Sequence, residues 1–125
     1  MNKKILSDIG LTDREIAVYI ALAKLGSVTT GHLVKESEVP NSKVYEILDK
    51  LIKKGLASYI LKGKIKHFQA THPNTLLNFF DEKKYEVEKI VKELEALRLK
   101  NEPDHEVNIY EGLLGLRAVF YEMLD

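Results

Sequence analysis

The sequence predicts a mainly α-helical fold that contains one small β-hairpin. Between residues 12 and 54, apolar residues recur at helical spacing in three successive stretches. Two short segments rich in β-branched and aromatic residues then flank Gly63, which is typical of a hairpin. Residues 74–101 hold no glycine or proline, which favours a single long helix after the hairpin.

The first helix lies in "LTDREIAVYIALAKLG". Thr12 and Glu15 have the spacing of a capping box, in which each side chain accepts a hydrogen bond from an otherwise unpaired amide at the helix start. Gly26 is expected to end the helix. The apolar stripe between them comprises Ile16, Tyr19, Ile20, Leu22 and Ala23.

Two further helices complete the N-terminal core. A short helix over residues 31–37, "GHLVKES", is predicted to be capped by Thr30 and to end before Val39-Pro40. The third lies in "VPNSKVYEILDKLIKKGL", residues 39–56, with Asn41 or Ser42 as the predicted cap. On a helical wheel its apolar residues share one side, and its polar residues share the other. The apolar set is Val44, Ile47, Leu48, Leu51 and Ile52.

After Gly55 the helical spacing of apolar residues gives way to short segments rich in β-branched and aromatic residues. "LASYIL" and "IKHFQAT" read as two strands joined at Lys62-Gly63-Lys64, with the glycine supplying the positive φ of the turn. Three helices followed by a hairpin are the order of elements in a winged helix-turn-helix. That order alone is also compatible with other small α+β domains.

The long helix over residues 74–101 is predicted to pair two subunits. Its apolar residues fall on alternating steps of three and four, a short heptad seam. About 28 residues at ~1.5 Å each give roughly 40 Å, which exceeds the width of a domain of ~75 residues. An apolar stripe on such a helix favours a partner helix over packing on its own core. The seam residues are Phe80, Val87, Ile90, Leu94 and Leu97.

Pro103 is expected to end the long helix, and residues 103–125 read as one strand and one helix. A lone strand has unpaired edges. This tail is therefore expected either to be the front end of a longer protein or to pack against the body or a second subunit. The predicted organisation is a winged-helix domain (1–73), a dimerisation helix (74–102) and a βα tail (103–125).

The formal net charge of zero hides an asymmetry. Residues 1–73 hold 12 Lys and Arg against 7 Asp and Glu, whereas residues 74–125 hold 7 against 12. The window 41–66, the third helix and the hairpin, carries 7 lysines against Glu46 and Asp49. A local excess of this kind indicates an anionic partner, and two adjacent lysine-rich elements favour double-stranded DNA.

The candidate DNA-binding residues are Thr30, Asn41, Ser42, Lys43, Tyr45, Glu46, Lys50, Lys62, Lys64 and Lys66. The lysines can neutralise phosphates, and the polar residues that open the helix can reach bases or phosphates. Glu46 could accept from a cytosine amino group or pair with Lys43 or Lys50. Tyr45 could cover a phosphate or thymine methyl, or seal the core edge.

Two lysines at the far end of the third helix are excluded from this candidate interface. Lys53 and Lys54 are expected to interact with the C-terminal helix dipole or to lie in solvent.

Other function classes find no support in the residues. Cysteine is absent, which excludes disulfides and thiol catalysis. The four histidines are scattered and predict no metal site, and no nucleophile motif, phosphate loop or cofactor site is present, so we expect no enzyme. No apolar run is long enough to cross a membrane or to form a signal peptide, so the expected location is the cytoplasm.

Residues 9 to about 100 resemble the TrmB-like transcriptional regulators. The resemblance rests on L-T-x-x-E-x-x-V-Y-x-x-L-x-x-x-G, then V-P-x-S-K-V-Y-x-x-L-x-x-L-x-x-x-G-L, then "FQATHP" leading into a long helix. "EVNIYEGLLGLRAVFYEML" resembles the entry to that family's effector module. Where many relatives carry arginine, this chain has Asn41.

The resemblance implies a dimeric, sequence-specific DNA-binding regulator. Helix 41–54 would enter the major groove, the lysine-rich hairpin would contact flanking phosphate or the minor groove, and helix 74–101 would pair two subunits. The effector, the operator and the direction of regulation stay open. A competing interpretation is a winged-helix protein–protein interaction module whose lysines are merely solvated.

Overall fold

The computed structural model describes residues 1–101, and the predicted strand and helix of the tail lie outside this range. The predicted fold class is confirmed. The elements, in chain order, are α1 (Lys3–Asp8), α2 (Asp13–Leu25), α3 (Thr30–Ser37), α4 (Asn41–Lys53), β1 (Ala57–Lys62), β2 (Ile65–Ala70) and α5 (Thr75–Asn101).

Helix α1 was not predicted from the sequence. Asn2 caps it by accepting a hydrogen bond from the Lys4 backbone amide at 3.1 Å. Leu6 and Ile9, the residue that caps the end of α1, are half-buried against the main core. Six residues are too few for an apolar period to be visible, and an isolated helix of this length is unstable in water. Docking onto the core therefore stabilises α1.

The predicted capping box at the start of α2 is confirmed. The Glu15 amide donates to Thr12 Oγ1 at 3.2 Å, and the Thr12 amide donates to Glu15 Oε1 at 3.0 Å. Gly26 ends the helix with a φ of 77°, as predicted from its position. The two reciprocal hydrogen bonds satisfy amides that would otherwise be unpaired at a helix N-terminus.

The caps predicted for α3 and α4 are wrong. Thr29 rather than Thr30 is the N-cap of α3, and it makes no side-chain cap hydrogen bond. Pro40 is the N-cap of α4, where its carbonyl accepts hydrogen bonds from the Lys43 and Val44 amides at 2.9 and 3.1 Å. The fixed φ of proline sets the entry of the chain into α4, so Asn41 becomes the first helical residue.

One core lies between α2, α3, α4 and the base of the hairpin. The apolar face predicted for α4 is buried, except that Ile52 is only partly buried. Ala23, which was predicted to lie on the apolar stripe of α2, is exposed instead. The largest fully buried apolar side chains are Leu22, Leu33, Leu48, Leu51, Leu56, Val18 and Val44.

The turn between α3 and α4 places Glu38 in the left-handed region, with a φ of 62°. Its amide donates to the Val34 carbonyl at 3.0 Å and so closes α3. Val39 follows and is buried in the core. This short connection fixes α4 across α3, which is the arrangement of a helix-turn-helix.

Strands β1 and β2 form an antiparallel hairpin, the wing, in which Lys62 pairs with Ile65. Gly63 is the first of the two turn residues and has a φ of 66°, as the sequence predicted. An isolated antiparallel bridge outside the two strands was not predicted. In it, Val28 and Phe68 exchange backbone hydrogen bonds of 2.9 and 2.7 Å. This bridge ties the wing to the segment between α2 and α3.

The chain divides into two compact units, the first comprising Met1–Lys84 and the second beginning at Tyr85. The first unit includes the start of α5, where Phe79 is 5% exposed and joins the core. The neighbouring Phe80 is 48% exposed. In the second unit every described residue, 85–101, is exposed.

Candidate nucleic-acid interface

The polar side of α4 is exposed, as predicted. Asn41, Ser42 and Lys43 open the helix, and Glu46 and Lys50 follow at steps of about one turn. The buried side is held in the core, so these side chains cannot rotate inward. An anchored helix with an exposed polar side is the geometry in which a helix can be inserted into a DNA groove.

Tyr45 connects α4 with both α3 and the wing. Its hydroxyl lies 3.4 Å from Thr30 Oγ1, and its ring meets Phe68 edge-on with centroids 6.4 Å apart. The side chain is nevertheless 56% exposed. One edge of Tyr45 therefore seals the core margin, and the rest of the ring is free for a ligand.

Glu46 pairs with the two lysines that flank it on α4. Its carboxylate oxygens lie 3.5 Å from Lys50 Nζ and 4.0 Å from Lys43 Nζ. All three side chains are about half-exposed. Exposed pairs of this spacing contribute little to stability, about 0.3–0.5 kcal/mol. The pairs place one carboxylate close to both ammonium groups in the unbound protein.

The wing carries its three lysines at its tip, all exposed. Lys66 Nζ lies 4.5 Å from the centroid of the Tyr59 ring, and Tyr59 packs on Phe68 with centroids 5.8 Å apart. Lys62 and Lys64 stand at either side of Gly63. Phe68 therefore supports both Tyr45 of α4 and the aromatic base of the wing.

An ion pair between α2 and α4 was missed by the sequence analysis. Lys54 Nζ donates to Glu15 Oε2, although Lys54 was expected to lie in solvent or at the helix dipole. The Glu15 side chain is 1% exposed and that of Lys54 is 25% exposed. Lys53, in contrast, is exposed, as expected.

The environment of Glu15 lowers its pKa. Burial is the largest single influence and acts to raise the pKa. The hydrogen bond from Lys54, the hydrogen bonds from Thr12 and the Lys54 charge together outweigh it. Glu15 is therefore held as a carboxylate that fixes the end of α4 against the start of α2.

The seam predicted on α5 is exposed along its length, with Phe80 in the first unit and the other four residues in the second. Val91, which the prediction omitted, is exposed as well. A row of exposed apolar side chains on a 27-residue helix is unusual for a helix that functions alone.

Neither a metal-ligand cluster nor a membrane-spanning helix is found among the described residues. No three His, Cys, Asp or Glu side chains among residues 1–101 converge as metal ligands. Within the same range, no helix is both long and apolar enough to cross a membrane.

The fold and this surface define a winged helix-turn-helix protein, the architecture of many transcriptional regulators. Residues 6–74 match the family described as "Sugar-specific transcriptional regulator TrmB". The chain therefore belongs to the TrmB family, as the sequence motifs indicated.

Curated relatives and solved structures agree with this assignment. The DNA-binding HTH-type transcriptional repressor TrmBL2 of Thermococcus kodakarensis is 35% identical over 88 residues, which cover 70% of this chain and 32% of the relative. A solved structure of TrmBL2, described as an archaeal chromatin protein with a novel mode of DNA binding, is 31% identical with a TM-score of 0.61. That match covers 94% of this chain and 41% of the other.

A second solved structure supports the fold alone. It is a possible transcriptional regulator from Methanosarcina mazei Go1, with 17% identity, a TM-score of 0.62, and coverage of 74% of this chain and 83% of the other. The curated relatives are longer proteins: the matches span 21% to 36% of their lengths.

Proposed function

We infer that this chain is a sequence-specific double-stranded DNA-binding module of a transcriptional regulator that acts as a dimer. Helix α4 enters the major groove, and the lysines of the wing contact the flanking backbone. Helix α5 pairs two copies of the chain. Such a protein functions in the cytoplasm, where it meets DNA, and it is not an enzyme.

The observation that carries the proposal is the set of contacts around Tyr45. They join α3, α4 and the wing, and both α4 and the wing bear exposed lysines. Cations on two rigidly connected elements can contact phosphates at the same time, and each contact releases counterions. Relatives that are named as DNA-binding regulators support the same conclusion.

The chemistry of the side chains assigns them different roles in the proposed complex. The lysines Lys43, Lys50, Lys62, Lys64 and Lys66 supply affinity through phosphates. Thr30 and Tyr45 contact the backbone beside α3, whereas Asn41, Ser42 and Glu46 lie where base edges can be reached. Glu46 would exchange its lysine partners for a base amino group as the lysines turn to phosphates.

A salt titration tests the DNA proposal. Fluorescence anisotropy of a labelled 30-base-pair duplex between 50 and 200 mM salt measures affinity and its salt dependence. The triple variant Lys43→Gln, Lys50→Gln, Lys64→Gln should flatten the log–log slope by about 2–3, near 0.9 for each phosphate that is no longer neutralised. The matched control is Lys3→Gln, Lys4→Gln, Lys24→Gln, which removes the same charge from α1 and the end of α2.

The competing function is a protein–protein interaction module without DNA binding. It predicts that the unmodified chain binds duplex weakly, and that the triple variant and its control behave alike. Selection of bound sequences from a random duplex pool separates specific from non-specific binding. A dimer should select two inverted half-sites whose centres lie about 10 base pairs, or a multiple of that, apart.

Sedimentation of a double variant tests the pairing of α5. Ile90→Lys with Leu94→Lys places two charges on the seam and should yield a monomer, because each charge would be buried without a partner. Glu88→Gln with Glu95→Gln changes the charge by the same amount away from the seam and should leave the dimer intact. A dimer that survives the seam variant would contradict the assignment.

A further inference from the structure

A groove lies between the start of α2 and one flank of α4. Arg14 from α2 and Lys43 and Lys50 from α4 are among the residues that line it, and its volume is about 340 Å³. Arg14 is 29 positions from Lys43 in the sequence, so no local pattern brings these cations together. Their proximity is a product of the packing of α2 on α4.

This flank of α4 faces away from the wing. Tyr45, which contacts the wing, follows Lys43 by two residues and so lies about 200° around the helix. The edge formed by Ser42, Glu46 and Asp49 lies between the two flanks and is exposed. A helix inserted into a major groove about 12 Å wide by that edge has one phosphate strand at each flank.

Charge on this flank favours an anion. The groove holds three cations, Arg14, Lys43 and Lys50, against two carboxylates, Asp13 and Glu46. Both lysines share Glu46, whereas Arg14 forms no ion pair with any residue of the range 1–101. The planar fork of its guanidinium group matches two phosphate oxygens.

The backbone that carries Arg14 is fixed on both sides. Thr12 and Glu15 form the capping box immediately around it, and Glu15 is in turn held by Lys54. A side chain on such a backbone loses little ordering entropy beyond that of its own rotamers when it meets a ligand.

We propose that Arg14 binds the DNA backbone on the strand away from the wing, so that α4 is flanked by a cationic contact on each side. This proposal rests on the DNA-binding function inferred above and adds a residue outside the helix-turn-helix and the wing. Arg14 and the wing then hold opposite strands, which fixes the depth and tilt of α4 in the groove.

The test measures the affinity of the 125-residue chain for the same 30-base-pair duplex and the salt dependence of that affinity. Arg14→Gln should weaken binding about five- to tenfold at 0.1 M salt and make the log–log salt slope less negative by about 0.9. The loss should be equal for selected and random duplexes, because a phosphate contact carries no sequence information. Arg14→Lys, which keeps the charge but lacks the fork, should retain most of the slope and lose part of the affinity.

Lys24→Gln is the matched control, since it removes one positive charge from the other end of the same helix. It should keep the wild-type slope, and circular dichroism melts establish that each variant is folded. Equal slopes for wild type and Arg14→Gln would overturn the role of Arg14 while leaving the DNA-binding function in place. Failure of the unmodified chain to bind duplex would instead overturn the underlying function.

Discussion

The Lys54 ammonium group donates a hydrogen bond to the carboxylate of Glu15, 39 residues earlier in the chain. Glu15 also completes the capping box of α2 with its other oxygen. One buried carboxylate therefore both begins α2 and holds the end of α4. Because the orientation of α4 sets its polar side, this pair contributes to the shape of the candidate DNA interface.

Replacing Lys54 with methionine should destabilise the protein by about 1–3 kcal/mol. The change keeps most of the apolar stem but leaves a buried carboxylate with fewer partners. Urea unfolding followed by circular dichroism measures the free energy of unfolding. Lys53→Met, at the exposed neighbouring position, should change it by no more than about 0.5 kcal/mol. Equal effects at the two positions would contradict a role for the pair.

The stability of the protein should fall in acid partly through Glu15. Its pKa is lower in the folded protein than its ordinary value near 4.5, so the unfolded chain takes up the proton first as pH falls. The contribution is present above the ordinary pKa and is lost as pH falls through the lowered folded pKa. Urea midpoints measured from pH 7 to pH 3 should therefore drop more steeply for wild type than for Glu15→Gln. Lys54→Met should also flatten the dependence, and unchanged slopes in both variants would show that this carboxylate is not responsible.

Replacing Glu46 with glutamine should tighten binding to random duplex about two- to tenfold and reduce discrimination between sequences. The carboxylate offsets part of the charge of Lys43 and Lys50 in the free protein, and in the proposed complex it would repel phosphates. Competition between selected and random duplexes measures both effects. Asp49→Asn removes the same charge from the same helix edge without an ion pair to any described residue, so it reports the bare charge change. Identical results for the two variants would show that the pairing of Glu46 has no role of its own.

Glycine at position 38 should stabilise the protein by about 0.5–1 kcal/mol. Glu38 occupies the left-handed region of backbone conformation. This conformation is unfavourable for a residue that has a Cβ atom, whereas glycine adopts it without that steric cost. Thermal melts compare Glu38→Gly with Glu36→Gly, the same substitution inside α3. The second variant should lose about 1 kcal/mol, because glycine is unfavourable within a helix and the exposed ion pair of Glu36 with Lys24 is removed as well. Destabilisation at both positions would contradict the conformational explanation.

Local patterns in the sequence were sufficient for most of the fold. The capping box at Thr12 and Glu15 depends on residues three apart, and the hairpin turn depends on Gly63 alone. The buried face of α4 follows from helical periodicity. Caps were less predictable: Asn41 is a frequent cap residue, but the proline before it took that position. Helix α1 was too short to carry a pattern and depends on contacts with the core.

The sequence by itself determined the family, the order of elements, and which side of α4 is polar, because each depends on spacing between near neighbours. Only the tertiary structure decided which distant residues meet. It joined Lys54 to Glu15, placed Phe68 beneath both Tyr45 and Tyr59, and put Arg14 and Lys43 along one groove. These contacts depend on how the helices and the hairpin pack around a shared core. The spacing of apolar residues within one element does not predict such packing. The sequence alone indicated that the lysines of α4 form part of a candidate interface. It did not indicate that Arg14 of α2 lines the same groove.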